Sequence, residues 1–525
     1  IEQILDIKHY KKRGNNMDKV IVLDFGSQYN QLIARRVREL GVFSEIVPFN
    51  IDIQKLDDPS IKGIILSGGP NSVYDENAPY IEKALYELNK PVLGICYGMQ
   101  ITQYLFGGKV SPSDKREYGK SELTIIEDSV LTKDVPKTST VWMSHGDHVD
   151  ELSTDFKLLA TTESCMAIAK HKTKDIYNLQ FHPEVTHTTF GETIIKNFVM
   201  DVVQANQSWD LEDYIDKSIQ NIKNIVQDDE VILALSGGVD SSVAAMLIHK
   251  AIGDKLTCVF VDTGLLRKDE GDKVMELYKD NYNMNVVRVN AGGNFLTSLK
   301  GEKDPEAKRK IIGAEFIKVF EAFKDEHKDA KFLAQGTIYP DVIESVSING
   351  PSETIKSHHN VGGLPAELDF ELLEPLRELF KDEVRKVGLA LGIPKNMIMR
   401  HPFPGPGLGI RILGEINEEK VKILQEADDI FIKELIQDNL YDQVSQAFVV
   451  LLPVKSVGVM GDKRTYEYIA AVRSANTVDF MTATFSRLPF EFLDKVASKI
   501  INQVRGINRV VYDITSKPPG TIEWE

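Results

Sequence analysis

The sequence predicts an α/β protein with two parallel-sheet α/β domains, followed by a small α+β domain. Apolar runs of strand length alternate with helical segments from Lys19 to about Arg400, a pattern typical of parallel sheets covered by helices. Several of these runs end in turns rich in Gly and Ser, at the strand ends where α/β sheets place their sites. After a Pro- and Gly-rich stretch beginning at His401, the predicted order becomes helix, strand, strand, helix, strand.

Length and composition indicate several domains and exclude some classes of partner. A chain of 525 residues is too long for one hydrophobic core, so two to four domains are expected. The formal net charge of −16 argues against general affinity for nucleic acid. We expect no membrane span, because no apolar run is long enough, and no secretory signal, because residues 1–14 are polar and basic with no apolar centre. The odd count of three cysteines argues against a disulfide framework, and the cytoplasm is the expected location.

We expect the chain to divide into four segments. Residues 1–16 precede Met17 and are predicted to be an extension outside the fold. Residues 17–206 form the first α/β domain and residues 207–400 the second. Residues 401–525 form the α+β domain. In the first domain the pattern predicts strands over 19–25, 63–66 and 91–95, and helices over 31–40 and 81–88.

Cys96 occupies a position typical of a nucleophile. It follows an apolar strand and precedes a helix, with Gly94 and Gly98 on its two sides. Small neighbours are what a tight strand-to-helix turn needs, and the helix N-terminus favours thiolate over thiol. The alternative is an ordinary buried cysteine, which is the usual reading for a cysteine without such flanking residues.

His182 and Glu184 could supply the base that a thiol nucleophile requires. They are two residues apart after an apolar stretch, so on an extended segment their side chains point the same way. A carboxylate in that place would hold the imidazole in one tautomer. The alternative is a surface His-Pro-Glu turn, which would be favoured if Cys96 were absent.

These motifs together resemble the class I glutamine amidotransferases, and the resemblance covers the whole first domain. It implies that Cys96 attacks the side-chain amide of glutamine, that His182 relays protons and that Glu184 orients His182. It also implies an oxyanion hole formed by the main-chain N–H groups of Gly69 and Tyr97. The implied glutamine-binding positions are Gln100, Ser144, His145, Gly146 and Asp147.

The second domain contains a phosphate-binding loop, Leu-Ser-Gly-Gly-Val-Asp-Ser-Ser, at residues 235–242. Glycines let main-chain N–H groups approach an anion, the hydroxyls add donors, and the following helix adds its dipole. No Gly-Lys-[Ser/Thr] follows, so this is not a Walker A loop. Asp240 would repel phosphate unless Mg²⁺ lay between them. The alternative is an ordinary Gly-rich turn.

The pattern Ser-Gly-Gly-x-Asp-Ser resembles the N-type ATP pyrophosphatases, which cleave ATP between the α and β phosphates. The resemblance implies ATP-binding roles for seven loop residues and places the adenine near Val261, at the end of the strand predicted over 256–262. Lys381 could reach the β and γ phosphates, on a helix predicted over 374–385. Residues 335–341 would face the same crevice. The loop residues are Ser236, Gly237, Gly238, Val239, Asp240, Ser241 and Ser242.

Two further segments of this domain are predicted to contact substrates. In the basic triplet 308–310, Arg309 resembles a position that meets the phosphate of an acceptor nucleotide, although such triplets are usually solvated faces. The polar, Gly-rich run 355–365 is predicted to be a lid over ATP, with Lys356 contributing charge. Zinc binding by the adjacent His358 and His359 is the less favoured alternative, because no nearby Cys or His completes a ligand set.

The C-terminal domain begins and ends with Pro- and Gly-rich segments. Composition favours a linker for His-Pro-Phe-Pro-Gly-Pro-Gly-Leu-Gly at 401–409, whereas family resemblance favours a binding loop. The tail 517–525 contains two prolines and a tryptophan, so it is predicted to fold into a site rather than fray.

The order of the three domains resembles that of the GMP synthase family over essentially all of residues 17–525. The resemblance implies conversion of XMP, ATP and glutamine into GMP, AMP, pyrophosphate and glutamate, with Mg²⁺ accompanying ATP. It implies XMP contacts by Arg309, Lys517 and Glu523, and a homodimer. One alternative is a glutamine-dependent NAD synthetase, which should lack the 401–409 and 517–523 segments. Another is a non-catalytic protein descended from an enzyme, although the intact motifs argue against it.

Overall fold

The computed structural model describes residues 17–327, 330–346, 370–460, 463–477 and 482–525. Within these ranges no helix is both long and apolar enough to cross a membrane. The chain forms two compact units. The first contains residues 17–210 and the second contains most of 211–525. The predicted extension 1–16 and the predicted lid residues Lys356, His358 and His359 lie outside the described residues.

The first unit is built on a nine-stranded sheet with the order β2-β1-β3-β4-β9-β8-β7-β5-β6 among its described strands. Its strands are β1 (Lys19–Asp24), β2 (Phe43–Pro48), β3 (Ile61–Leu66), β4 (Val92–Ile95), β5 (Lys109–Ile125), β6 (Thr138–Glu151), β7 (Phe156–Thr161), β8 (Met166–His171) and β9 (Ile176–Leu179). Its helices are α1 (Asn30–Glu39), α2 (Ile53–Leu56), α3 (Tyr97–Leu105) and α4 (Gly191–Lys196).

The sheet of the first unit is part parallel and part antiparallel. Strands β1 to β4 and β9 run parallel, as their alternation with helices predicts. Strands β5 to β8 pair antiparallel, and the sequence analysis did not identify them. The helix predicted over 31–40 is α1, and it stops at Gly41, whose φ of +74° lies in the left-handed region that glycine tolerates. The segment predicted as a helix over 81–88 forms only a short 3-10 turn, Lys83–Glu87.

The second unit begins with a five-stranded parallel sheet of order β12-β11-β10-β13-β14. The strands are β10 (Glu230–Ala234), β11 (Leu256–Asp262), β12 (Asn285–Asn290), β13 (Ala330–Ala334) and β14 (Glu371–Leu373). The helices are α5 (Leu211–Val226), α6 (Val239–Ile252), α7 (Glu270–Met275), α8 (Gly292–Ser298), α9 (Pro305–Glu326), α10 (Tyr339–Val346), α11 (Lys381–Ala390) and α12 (Lys395–Ile398). Cys258 is buried in β11, and burial raises the pKa of its thiol to about 12, so it is a core residue.

Local capping explains where α9 begins. The Asp304 side chain accepts a hydrogen bond from the Ala307 main-chain N–H, and Pro305 occupies the first turn of α9. The helix predicted over 374–385 is wrong in its first half: residues 375–378 form a turn, and α11 begins at Lys381. This later start places the Lys381 side chain at a helix N-terminus instead of in the middle of a helix.

The rest of the second unit is the predicted α+β arrangement. Strands β15 (Gln446–Met460), β16 (Lys463–Asn476), β17 (Thr484–Phe485) and β18 (Ile507–Asp513) form its sheet, with β18 parallel to β16. Helices α13 (Glu418–Gln437) and α14 (Phe490–Gln503) contribute apolar residues to a large buried cluster. That cluster also includes residues of β10 and β11, so both sheets of this unit share one core.

Candidate active sites

Cys96 lies on a sharp turn between β4 and α3. Its φ of +52° is in the left-handed region, which a non-glycine residue adopts only under constraint. The turn places the thiol directly before the first residue of a nine-residue helix, and the sulfur lies 3.8 Å from the main-chain oxygen of Ser144. This geometry is the predicted nucleophile elbow.

The glycines around Cys96 are required by close approaches of main chain. A Cβ on Gly94 would lie 2.6 Å from the Gly98 oxygen, and a Cβ on Gly98 would lie 2.5 Å from the Leu66 oxygen. Neither oxygen belongs to a flexible side chain that could move aside. The turn therefore packs against the end of β3 so closely that any larger residue would displace it.

His182 and Glu184 form a buried pair next to the thiol. The His182 Nδ1 lies 2.7 Å from the Glu184 Oε1, and both side chains are almost fully buried. Burial disfavours the charged imidazolium, but the Glu184 carboxylate and the hydrogen bond with Cys96 outweigh it and raise the pKa of His182 to about 10. The raised pKa of His182 favours the charged imidazolium in this buried position. The structure brings the three sequence-predicted residues together.

The residues predicted to contact glutamine lie around the same turn. Gly69 packs beside Tyr97, because a Cβ on Gly69 would lie 3.4 Å from the Tyr97 ring. The Gln100 side chain donates to the Asp147 main-chain oxygen over 2.7 Å, which ties α3 to β6. His145 is buried on the same strand, and burial lowers its pKa to about 4, so it is neutral at physiological pH. Ser144, Gly146 and Asp147 belong to β6 as well.

The phosphate-loop motif forms a turn between β10 and α6. Helix α6 begins at Val239, inside the motif, so the loop proper is shorter than the eight-residue pattern. The Ser236 Oγ lies 2.9 Å from the Ser241 Oγ and accepts a hydrogen bond from the Gly238 N–H over 3.2 Å. Hydroxyls and main-chain N–H groups thus converge at the N-terminus of α6, the arrangement that binds phosphate.

Asp240 and Lys381 form an ion pair beside this loop. The Lys381 Nζ lies 2.7 and 2.6 Å from the two carboxylate oxygens of Asp240. Asp240 is the predicted ligand of Mg²⁺ and Lys381 is the predicted contact of the β and γ phosphates, and the two side chains meet in the structure. A single carboxylate is a sufficient protein ligand for Mg²⁺ that also coordinates phosphate oxygens and water, so the residues present fit that ion.

The crevice lies where the strand order of the sheet reverses. The chain proceeds outward from β10 through β11 to β12, and then crosses to β13 on the other side of β10. Ligands of open α/β sheets bind at such a switch point. Gly336, two residues after the end of β13, approaches α6 so closely that a Cβ would lie 2.8 Å from the Ser241 nitrogen. Val261 is a core residue near the end of β11, with its side chain buried.

Arg309, the predicted contact of an acceptor phosphate, is engaged with the C-terminal residue. It donates to the main-chain oxygen of Glu525. Its neighbour Lys308 is fully buried, donates to the Ile412 oxygen over 2.8 Å and pairs with the Glu525 carboxylate. The sequence analysis did not single out Lys308. Both basic residues anchor the tail in this structure.

The tail is folded against the C-terminal sheet, as its composition predicts. The Trp524 indole donates to Asp513 over 2.9 Å, and the Lys517 main chain pairs with Ala483. Glu523 accepts two hydrogen bonds from Arg411, at 3.1 and 2.8 Å, and one from Gln446 at 2.7 Å.

Arg411 is a functional candidate that sequence reasoning missed. Its side chain is fully buried although it carries a charge, and Glu523 supplies the opposite charge. The signal was available, because Arg411 is the one charged residue in the apolar run Leu-Gly-Ile-Arg-Ile-Leu at 408–413. A charged residue within such a run is expected to be buried with a partner.

Both ends of the stretch 401–409 are buried in the second unit, whereas Gly405 between them is exposed. The His401 ring stacks on Tyr441 with centroids 3.8 Å apart, and burial lowers the pKa of His401 to about 4. The Leu408 N–H donates to the Leu265 oxygen over 2.8 Å. Of the two interpretations of this stretch, packing at both of its ends favours a binding loop over a linker.

Three family models match consecutive parts of the chain. The model for class-I glutamine amidotransferase matches residues 21–202, which include the Cys96 turn. The model for NAD synthase matches residues 210–304, which include the phosphate loop. The model for the GMP synthase C terminal domain matches residues 433–524. The last match speaks against the NAD synthetase alternative.

Relatives match over nearly the whole chain. A glutamine-hydrolysing GMP synthase of Fusobacterium nucleatum subsp. nucleatum is 62% identical over 507 residues, covering 96% of this chain and 99% of the relative. Enzymes of the same name from Spiroplasma kunkelii and Mesoplasma florum are each 58% identical, covering 97% of this chain and 99% of each relative. The chain therefore belongs to the family of glutamine-hydrolysing GMP synthases.

Proposed function

We propose that this chain forms GMP from XMP, with glutamine as the nitrogen donor and ATP as the activating substrate. The observation that carries the proposal is the presence, in one chain, of a cysteine–histidine–glutamate triad and an ATP-pyrophosphatase loop. The triad releases ammonia from glutamine, and the loop supports activation of the oxygen that ammonia replaces.

At the first site Cys96 attacks the side-chain amide of glutamine. The protonated His182 donates a proton to the departing ammonia, and then acts as the base when water hydrolyses the acyl-enzyme. Glu184 holds the imidazole in place through its 2.7 Å contact. The main-chain N–H groups of Gly69 and Tyr97 are assigned to the developing oxyanion, and Gln100 and residues 144–147 to the substrate.

At the second site the C2 oxygen of XMP attacks the α-phosphorus of ATP, and pyrophosphate leaves. Residues 236–242 receive the phosphates, because their hydroxyls and N–H groups converge at a helix N-terminus. Asp240 would hold Mg²⁺, which neutralises charge on the departing pyrophosphate when bound. Lys381 would exchange its contact with Asp240 for the β and γ phosphates. Val261 is assigned to the adenine side of the crevice.

Ammonia then attacks C2 of the adenylated purine, and AMP leaves. We assign Arg309, Lys517 and Glu523 to XMP, and the folding of the tail around Glu523 supports that assignment. The predicted lid residues Lys356, His358 and His359, which lie outside the described part, are assigned to closure over ATP.

The decisive test measures pyrophosphate release from ATP with XMP, Mg²⁺ and an ammonium salt. We expect AMP and GMP in equal amounts. The Cys96→Ala variant should retain this ammonium-driven reaction and lose the glutamine-driven one. Formation of ADP, or the absence of any nucleotide product with the wild-type enzyme, would contradict the proposal.

A homodimer and a cytoplasmic location complete the proposal. Three apolar side chains on β15 and β16, Val457, Val459 and Tyr466, are 48%, 75% and 60% exposed, and Val457 pairs across the strands with Tyr466. Such a patch is typical of a protein interface. If the patch forms the dimer, sedimentation should show dimers for the wild type and monomers for Val459→Asp. The cytoplasm suits an enzyme whose nucleophile must remain a free thiol, and cell fractionation tests it.

A further inference from the structure

Arg400 contacts the phosphate loop and directly precedes the 401–409 stretch in the chain. Its side chain is only 14% exposed. One guanidinium nitrogen donates to the main-chain oxygen of Gly237, and another lies 3.2 Å from the Glu270 carboxylate.

The hydrogen bond from Arg400 to the Gly237 oxygen determines which way the Gly237–Gly238 peptide group faces. A trans peptide points its C=O and its N–H in opposite directions. With the Gly237 oxygen held by Arg400, the Gly238 N–H faces the other side, where it donates to the Ser236 Oγ over 3.2 Å. That is the side on which the serine hydroxyls and the N-terminus of α6 converge.

Two consecutive glycines would otherwise allow this peptide to rotate. Gly237 has a φ of +71°, and glycine populates positive and negative φ almost equally. A rotated peptide would present the Gly237 oxygen, instead of an N–H donor, to a phosphate group. We propose that Arg400 is a positioning residue that locks the Gly237–Gly238 peptide with its N–H toward the pyrophosphate. The proposal rests on the proposed function of this loop in binding ATP.

Glu270 holds the Arg400 side chain in position. One Glu270 oxygen contacts Arg400, and the other accepts a hydrogen bond from the Arg267 main-chain N–H over 3.1 Å. Glu270 is itself buried as the first residue of α7. A planar guanidinium can contact an oxygen on each side at once, whereas a lysine ammonium is a flexible point charge. The geometry therefore requires arginine, and a positive charge alone would not replace it.

The inference predicts a specific kinetic defect. A preorganised donor aimed at a leaving group acts mainly in the transition state, and removal of one such donor costs about 100- to 1,000-fold in kcat in known cases. We expect Arg400→Met to lower kcat for pyrophosphate release about 100-fold, to raise the KM for ATP, and to change the KM for XMP less than threefold. Arg400→Lys should show a smaller defect of the same kind, about tenfold.

The matched control is Lys268→Met. Lys268 lines the same cavity of about 150 Å³ as Arg400 and Glu270, and it lies 3.9 Å from Asp429. The Lys268→Met substitution removes one positive charge from the cavity and leaves the hydrogen bond between Arg400 and Gly237 in place. We expect its kcat and KM for ATP to stay within threefold of wild type. Glu270→Gln should resemble Arg400→Lys.

All variants are assayed as full-length enzyme with ATP, XMP, Mg²⁺ and ammonium, and glutamine hydrolysis is measured separately as a check that the first unit is folded. Inactivity of the wild type would refute the proposed function itself. If the wild type is active, a kcat and a KM for ATP of Arg400→Met within threefold of the wild-type values would overturn only the role of Arg400. Equal losses of kcat in Arg400→Met and Lys268→Met would also overturn it. A rise in the KM for XMP as large as the rise in the KM for ATP would overturn it too. If Arg400→Met does not fold, Arg400→Lys decides between these outcomes alone.

Discussion

Replacement of Glu184 by glutamine tests how the triad works. The carboxylate is buried, lies 2.7 Å from the His182 Nδ1 and is a main cause of the raised His182 pKa of about 10. A neutral amide cannot stabilise the imidazolium as a charge does. A hydrogen bond to a charged group is worth about 1.5–3 kcal/mol, which corresponds to about a 10- to 150-fold loss in kcat for glutamine hydrolysis. A turned amide that donates to Nδ1 would impose the wrong tautomer and enlarge the loss.

The assay compares glutamine-driven with ammonium-driven GMP formation in Glu184→Gln. We expect the first to fall and the second to stay within twofold, because only the first uses the triad. Loss of the carboxylate lowers the His182 pKa, so the alkaline limit of glutaminase activity should move to lower pH. Unchanged glutaminase activity, or equal losses with both nitrogen donors, would refute the assigned role of Glu184.

Three further outcomes follow from the geometry. Gly98→Ala should abolish glutaminase activity and lower the free energy of unfolding by about 1–3 kcal/mol, because its Cβ would lie 2.5 Å from the Leu66 oxygen; denaturant titration measures this. His401 has a folded pKa of about 4 against an ordinary 6.5, so the unfolded chain binds the proton more readily and stability falls as pH drops from 6.5 to 4. His401→Phe should reduce that slope, which is at most about 1.4 kcal/mol per pH unit, in denaturant titrations across this range. Asp240→Asn should suppress pyrophosphate release at least tenfold while glutaminase activity persists, and since its pair with Lys381 is partly exposed, the melting temperature should change little.

Much of the fold could be predicted from local pattern. In the C-terminal region the predicted order of helix, strand, strand, helix and strand appears, with the short strand β17 added, because the apolar periodicity of the predicted elements matches the faces that they bury. The strands predicted over 19–25, 63–66 and 91–95 appear as β1, β3 and β4. The antiparallel strands β5 to β8 were missed, because pairing between distant segments leaves a weaker local pattern than alternation of strands and helices. The helix over 374–385 was extended too far since nothing local showed where its first turn would stop.

The amino-acid sequence by itself predicted the chemistry that we propose for this protein: which nucleophile, which phosphate loop, and which domains in which order. Those features depend on short motifs whose residue types are needed within a few positions of one another. Only the tertiary structure decided the partners of buried charges, such as Arg411 with Glu523 and Arg400 with the Gly237 oxygen. Each of these pairs joins residues more than 100 positions apart in the chain. The partner of a buried charge can lie anywhere in the chain, because folding brings distant segments together. The residues next to the charge in the sequence therefore do not predict which partner it has.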